Sequence, residues 1–372
     1  MILNEEQRLL KDTVEEFLKV NAPVASLRQL RDSGPDSGFD RNLWQQLVEM
    51  GIPLTALSEE SGGVGFGWLG MGAVMEACGR NLTATPLLGS VVIGATLLEM
   101  LADSQQQTLL ESICAGELTL ALAIDEQTHF EPGAISAEIK NEDEQYLLSG
   151  KKNFVVDGAH ADKFIVVARD SGTGALSLAI VDNNQPGVTV TPTRLMDSRS
   201  YANITFEEVS LSAQQRLGDD ETAAAALEHA LLCATACTAA EMLGGASELF
   251  ERTVEYLKER EQFGAKIGSF QALQHRAAQM YCQLESCKSA VLNGLQSLDN
   301  RQPDVATQVS LAKTLANDCY KHISNEAVQL HGGMGVTDEL DIGLFLKRAR
   351  VTIQMFGDSA YHMDKYASTM GY

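Results

Sequence analysis

Positive charge is scarce in this chain: 28 Lys and Arg stand against 50 Asp and Glu, a formal net charge of −22. Such a field disfavours nucleic acid and anionic membrane surfaces as partners. Any polyanionic ligand would need local cationic groups set against it. Long apolar runs are also missing, since none approaches the ~18 residues of a membrane span. The first residues, Met1 to Glu6, lack the basic and apolar regions of a secretory signal, so a cytoplasmic protein is expected. Cysteine occurs only seven times, with no CxxC pair. An odd, scattered set argues against a disulfide framework. Cys233 and Cys237 lie one turn apart on apolar sequence with no His or carboxylate cluster beside them. They read as buried, inert thiols, and no metal site is expected.

What is present describes an ordinary globular chain of 372 residues, 45% hydrophobic and 21% charged, long enough for two or three domains. Apolar residues recur at helical spacing over 5–20 and 41–50, and further helices are predicted over 70–79, 91–101 and 103–115. The texture changes at Leu118. Short Val-, Ile- and Thr-rich segments at 118–124, 135–140, 146–148, 154–156, 163–168, 176–181, 188–193 and 203–206 alternate with Gly, Asn, Asp and Pro. Regular short strands with no intervening helices predict an antiparallel barrel or sandwich. Beyond Asp220, long helices are predicted over 222–260, 271–298, 303–332 and 340–366, enough for a four-helix bundle. The expected fold is α+β: a helical domain (1–117), a central β domain (118–219) and a C-terminal bundle (220–372).

Gly65-Phe66-Gly67-Trp68-Leu69-Gly70 formally matches GxGxxG. A dinucleotide fingerprint needs a strand before it and a βαβ context, and the flanks here are helical. A glycine-rich loop entering a helix is the better reading. Two later motifs carry more chemistry: Arg260-Glu261-Gln262-Phe263-Gly264, continuing to Gln271 and Gln274, and Gln329-Leu330-His331-Gly332-Gly333-Met334-Gly335. An Arg offers paired donors to a pyrophosphate, an aromatic covers a flat ring, and adjacent glycines let backbone N–H groups approach phosphate.

In this order and spacing the two motifs resemble those of the acyl-CoA dehydrogenase family, FAD enzymes that introduce a Cα–Cβ double bond into an acyl-CoA. The resemblance extends to Glu59-Glu60-Ser61-Gly62-Gly63-Val64-Gly65 and to Ser149-Gly150-Lys151-Lys152-Asn153-Phe154, and so covers essentially the whole chain. It implies that Arg260, Phe263, Ile267, Gln271, Gln329, Gly332 and Gly333 hold the FAD of a neighbouring subunit, that Phe154 packs on a flavin, and that the partners are an acyl-CoA substrate, an electron-transfer flavoprotein and the other chains of a homo- or hetero-tetramer.

The sequence departs from the family at the reacting centre. Where the family's Glu-Gly-Thr carries the base that removes the α-proton, this chain has Phe356-Gly357-Asp358. The alternative helical position for that Glu falls at Ala234. Glu241 and Asp358 are the remaining carboxylates in range, and His331 and His362 are candidate titrating groups. Asp125 stands where a flavin-bonding Thr is expected, and Val156 lacks the usual hydroxyl. Three readings stay open: a homo-oligomeric dehydrogenase with an unusual base; a base-lacking half of a heteromeric enzyme, such as those acting on steroid side-chain CoA esters; and a non-catalytic member that keeps the fold.

Overall fold

The computed structural model describes residues 3–33, 38–103, 106–142 and 145–372. The helices before the sheet are α1 (Glu5–Asn21), α2 (Val24–Asp32), α3 (Arg41–Glu49), α4 (Gly67–Asn81), α5 (Thr96–Leu101) and α6 (Gln107–Cys114). The strands are β1 (Leu120–Ala123), β2 (Glu138–Glu142), β3 (Gln145–Val156), β4 (Lys163–Asp170), β5 (Leu176–Asp182), β6 (Val188–Thr193) and β7 (Tyr201–Leu211). Then come α7 (Asp220–Glu259), a small hairpin of β8 (Glu261–Gln262) and β9 (Ala265–Lys266), α8 (Gln271–Asp299), α9 (Val305–His331), α10 (Ile342–Thr352) and α11 (Ser359–Thr369). The chain forms two compact units. One comprises Met1–Arg28, Trp68–Thr83 and Thr235–Tyr372, the other Gln29–Gly67 and Ala84–Ala234.

The second unit is built on the sheet, in the order β1-β4-β2-β3-β7-β6 with β5 on the other edge of β4. Alternating apolar residues of β3, β4, β5 and β7, among them Leu148, Phe164, Val166, Val181 and Phe206, form its core. The sheet is mixed, not purely antiparallel as expected: β1 and β2 both pair parallel to β4, Leu120 opposite Lys163 and Glu138 opposite Arg169. They share one edge of β4 end to end, because the chain between them leaves the sheet as a loop fastened by Glu126. That carboxylate accepts from the N–H groups of Ser136 (2.8 Å) and Ala137 (2.9 Å). The segments expected at 146–148 and 154–156 are one strand, β3, whose pairing with β7 is irregular between Lys152 and Val155. Residues 87–95, read from sequence partly as a helix, form a fully buried π-helical stretch, Leu87–Ala95, leading into α5.

In the first unit α9 packs against α8, α10 and α11. α1 starts at a capping box, in which the Gln7 N–H donates to Asn4 Oδ1 at 2.7 Å and the Asn4 N–H to Gln7 Oε1 at 3.1 Å. The fourth long helix predicted over 340–366 is two helices. Phe356 (φ +54°) and Gly357 (φ +107°) turn the chain, and Asp358 caps α11 by accepting from the Tyr361 N–H at 2.9 Å. α7 contains an 18-residue window of mean hydropathy 1.4, long and apolar enough to cross a membrane by length and composition, which the sequence reading did not single out. Buried residues make up 67% of that window, as in a core helix.

α4 crosses α7 at backbone contact. A Cβ on Gly79 would collide with the Glu241 carbonyl, and one on Gly244 with the Glu76 carbonyl. Because a carbonyl cannot swing aside as a side chain can, Gly244→Ala is expected to destabilise the protein by about 1–3 kcal/mol or more. Urea denaturation of the variant reads this directly, and unchanged stability would show that the crossing relaxes.

Candidate functional site

The hairpin after α7 presents the first motif. Phe263 (φ +54°) and Gly264 (φ +77°) occupy the two turn positions, both left-handed, as a two-residue hairpin loop of opposite twist requires. Phe263 is 93% exposed and touches Phe270 edge-on at 6.3 Å between ring centres. Arg260 is exposed just ahead of β8; its backbone N–H donates to Tyr256 and its carbonyl accepts from Ile267. Ile267 is buried, whereas Gln271 is exposed at the start of α8. The second motif ends α9. Gln329 is exposed, and its carbonyl accepts the N–H of Gly332, which turns the chain at φ +59°. Open space surrounds the position of a Cβ on either Gly332 or Gly333.

Tyr256 joins the two motifs. Its ring stacks on His331 at 4.2 Å, and its hydroxyl lies 3.5 Å from the His331 carbonyl. The end of α7 and the end of α9 are therefore neighbours, so that residues 69 positions apart in sequence (260 and 329) share one end of the unit. His331 donates Nδ1–H to the Ala327 carbonyl at 2.7 Å, and burial holds it below the ordinary histidine range. Its ring is engaged in the stack on Tyr256.

The carboxylates considered as a base are engaged. Glu241 meets Arg348 in a bidentate pair, Nε to Oε1 at 2.8 Å and Nη2 to Oε2 at 2.9 Å, with both side chains under one-tenth exposed. Asp358 caps α11. Phe356 is 7% exposed, and its carbonyl accepts from His362 Nε2 at 2.9 Å. Burial and the nearby Lys313 ammonium push His362 down to about 3, which removes it as a titrating group near neutrality.

Sequence reading missed Lys313. This fully buried cation donates to Asn317 Oδ1 at 2.7 Å and to the carbonyls of Thr352 and Gly357 at 3.1 and 3.0 Å. It therefore fills the end of α10, where unpaired carbonyls and the helix dipole favour a cation. Burial nonetheless pulls it down to about 7, against the attraction of Asp358. Its helical phase with Val309, Ala316 and Tyr320, all buried, was the available signal. Arg348, likewise on a buried face of α10, was missed for the same reason.

In the sheet unit, Phe154 sits at the irregular point of β3 with φ +51°, 38% exposed, its N–H donated to Asn203 Oδ1 at 3.0 Å. The neighbouring Asn153 donates its backbone N–H to Asp125 O and its side-chain amide to Glu126 O, both at 2.7 Å. This brings Phe154 and Asp125 to the same place. Lys152 is fully buried and paired with Glu126 at 2.7 Å. Burial alone would raise Glu126, but hydrogen bonds from Lys152, Ser136 and Ala137 outweigh it and hold the carboxyl below its usual range. Asp125 Oδ1 is buried without a hydrogen-bond partner among the described residues. Burial pushes its carboxyl up to about 6, against the pull of Lys152 and His129.

Among the described residues no cluster of three or more metal-ligating side chains exists. Cys233 and Cys237 are buried as expected, although His229 does approach Cys233, its Nε2 lying 3.5 Å from Sγ. The uncovered Phe263 ring and the open corner at Gly332 and Gly333 are features that a bound dinucleotide would cover. FAD fits these residues.

Two stability measurements follow from this geometry. Glu241→Ala, which leaves Arg348 charged and buried, should cost about 3–5 kcal/mol, and exchanging both partners for apolar residues should cost less. Denaturant titration of the single and double variants checks this ordering. Asp125 is raised in the folded chain from 3.8 to about 6, so the folded state holds a proton that the unfolded state has lost. Stability thus falls as pH rises through that window, by up to about 3 kcal/mol. Asp125→Asn should be stabilising at about pH 8 and near neutral in effect at about pH 4; equal effects at both would sink the assignment.

Comparison with known proteins agrees along the whole chain. Residues 4–117, 121–210 and 224–371 match the acyl-CoA dehydrogenase N-terminal, middle and C-terminal domain models. The acyl-CoA dehydrogenase IpdE2 of Mycolicibacterium smegmatis is 31% identical over 356 residues, covering 95% of this chain and 96% of that protein. The ChsE4–ChsE5 complex of Mycobacterium tuberculosis superposes with a TM-score of 0.90 at 26% identity, covering 99% of this chain and 98% of that one. Butyryl-CoA dehydrogenase of Megasphaera elsdenii shares the fold, with a TM-score of 0.91 at 22% identity over 100% of this chain and 99% of that one. The chain belongs to the acyl-CoA dehydrogenase family of FAD-dependent oxidoreductases.

Proposed function

We propose that this chain is the base-lacking subunit of a heteromeric acyl-CoA dehydrogenase, completing a partner chain's FAD site with Arg260, Phe263, Ile267, Gln271, Gln329, Gly332 and Gly333. One contrast carries the reading. The candidate bases Glu241 and Asp358 are bonded elsewhere, while Arg260, Phe263, Gly332 and Gly333 face outward. Bound FAD would take the hydride from Cβ of the acyl-CoA. Arg260 would hold its diphosphate, Phe263 would cover the adenine, and the N–H groups at Gly332 and Gly333 would approach phosphate. The α-proton is left to a carboxylate of the partner, because Phe356 has no basic atom to receive it. The ChsE4–ChsE5 structure, by its name a complex of two chains, supports such pairing. The same reading takes 1–117, 118–219 and 220–372 as the three domains, the cytoplasm as the location and an electron-transferring flavoprotein as the acceptor.

A second reading, a homo-oligomer holding FAD in its own sheet unit, draws on Phe154 and the unpaired Asp125 oxygen. Flavin absorbance separates the two. Purified alone, the chain should be nearly colourless and inactive; purified with a family member that keeps a Glu at the position of Phe356, it should carry flavin and dehydrogenate acyl-CoA. Arg260→Ala in this chain should then weaken flavin retention by about tenfold or more, the worth of a charge-assisted contact to phosphate. Stoichiometric FAD and acceptor reduction by the chain alone would overturn the heteromeric reading.

A further inference from the structure

A cavity of about 80 Å³ in the sheet unit is lined by Arg31, Arg194, Arg199, His160, Ser198 and Ser200, with further apolar and backbone walls. Among the described residues no carboxylate lines it, although Asp and Glu outnumber Lys and Arg 50 to 28 in the chain. We propose that this cavity is a binding site for a tetrahedral oxyanion of the phosphate class, independent of the flavin reading above.

The link between β6 and β7 is shaped to present these groups. Asp197, 4% exposed, accepts from the Tyr201 hydroxyl at 2.9 Å and from the Arg199 N–H at 3.3 Å. Ser198, held at φ +60°, closes a turn by donating its N–H to the Leu195 carbonyl. A left-handed non-glycine residue costs free energy and persists where its surroundings fix it; here it sets Arg199 between two hydroxyl residues. Ser200 Oγ lies 2.9 Å from His160 Nδ1. The His160 ring packs where a Cβ on Gly38 would overlap it.

The charges are unequal. Arg31 is already bonded to Asp32 through Nε and Nη2, and Arg199 is also engaged by a partner. Arg194 makes no ion pair among the described residues, so it supplies the uncompensated charge. Arginine presents a planar fork that matches phosphate oxygens, and serine hydroxyls add neutral donors. Size restricts the ligand. The volume is far below the ~300–1,000 Å³ of pockets for drug-sized ligands, but a single water needs only about 10–15 Å³. One phosphate with its waters fits; a whole nucleotide does not.

The test is calorimetric titration of the purified chain with inorganic phosphate at low ionic strength, against sodium chloride at matched ionic strength. Phosphate should bind and chloride should not. Arg194→Ala, a change at an exposed position that leaves the fold intact, should weaken phosphate about tenfold or more, and Arg194→Lys should restore only part of the loss. A second arm with a phosphate monoester identifies the source: tighter binding than inorganic phosphate means the cavity receives the phosphate of a larger molecule, and weaker binding means the free ion. Absence of phosphate-specific heat, or equal affinity in Arg194→Ala, overturns the proposal.

Discussion

The pairing of Glu241 with Arg348 is the constraint around which the helical unit is arranged. Taking either ion out of water costs several kcal/mol, and only close, bidentate geometry offsets it. The two residues lie on α7 and α10, 107 positions apart, so those helices are tied to one register. In that register the Glu241 carbonyl sits against Gly79, and the Glu76 carbonyl against Gly244. One turn of α7 thus carries both the ionic contact and the backbone crossing with α4. A carboxylate used in this way is not available to remove a proton from a substrate.

The corner between α10 and α11 obeys a related logic. Phe356 and Gly357 both adopt left-handed conformations, which for a bulky aromatic is unfavourable. Two donors hold it there: His362 bonds the Phe356 carbonyl, and Lys313 bonds that of Gly357 together with Thr352 at the helix end. Among the described residues Lys313 has no carboxylate within hydrogen-bonding distance, so carbonyl dipoles and one amide oxygen carry its charge. This is an expensive scaffold for a phenylalanine. Its cost is better understood if the corner is set to hold one side chain in a fixed place, whichever residue type occupies it.

Much of this was legible in the sequence, for local reasons. The long helices follow from apolar spacing, and the strands from β-branched runs between turn residues. Asp358 three residues before Tyr361 was a readable N-cap, and taking 340–366 as one helix overlooked it. The parallel placement of β1 and β2 on β4 was not readable, because it depends on pairing between distant segments. Pairing likewise hid the roles of Arg348 and Lys313: their helical phase marks both as buried, but one sequence does not say which oxygens face them. His362 fails as a titrating group near neutrality for the same reason, since burial and the neighbouring Lys313 cation decide its protonation and neither is local.

Phe263 is the residue that folding does not explain. A two-residue hairpin turn with both positions left-handed favours Asn or Asp before Gly, and a solvent-facing position favours a polar side chain. Phenylalanine is a poor choice on both grounds, and it leaves 93% of its surface in water. Phe270 meets only its edge. Gly333 adds to the puzzle, for no described neighbour demands its lack of a side chain, whereas Gly332 is required by its own φ of +59°. Residues that cost the isolated chain stability and serve nothing inside it are best accounted for by contacts outside it. That argument, more than the motif itself, supports the proposed role of this end of the molecule.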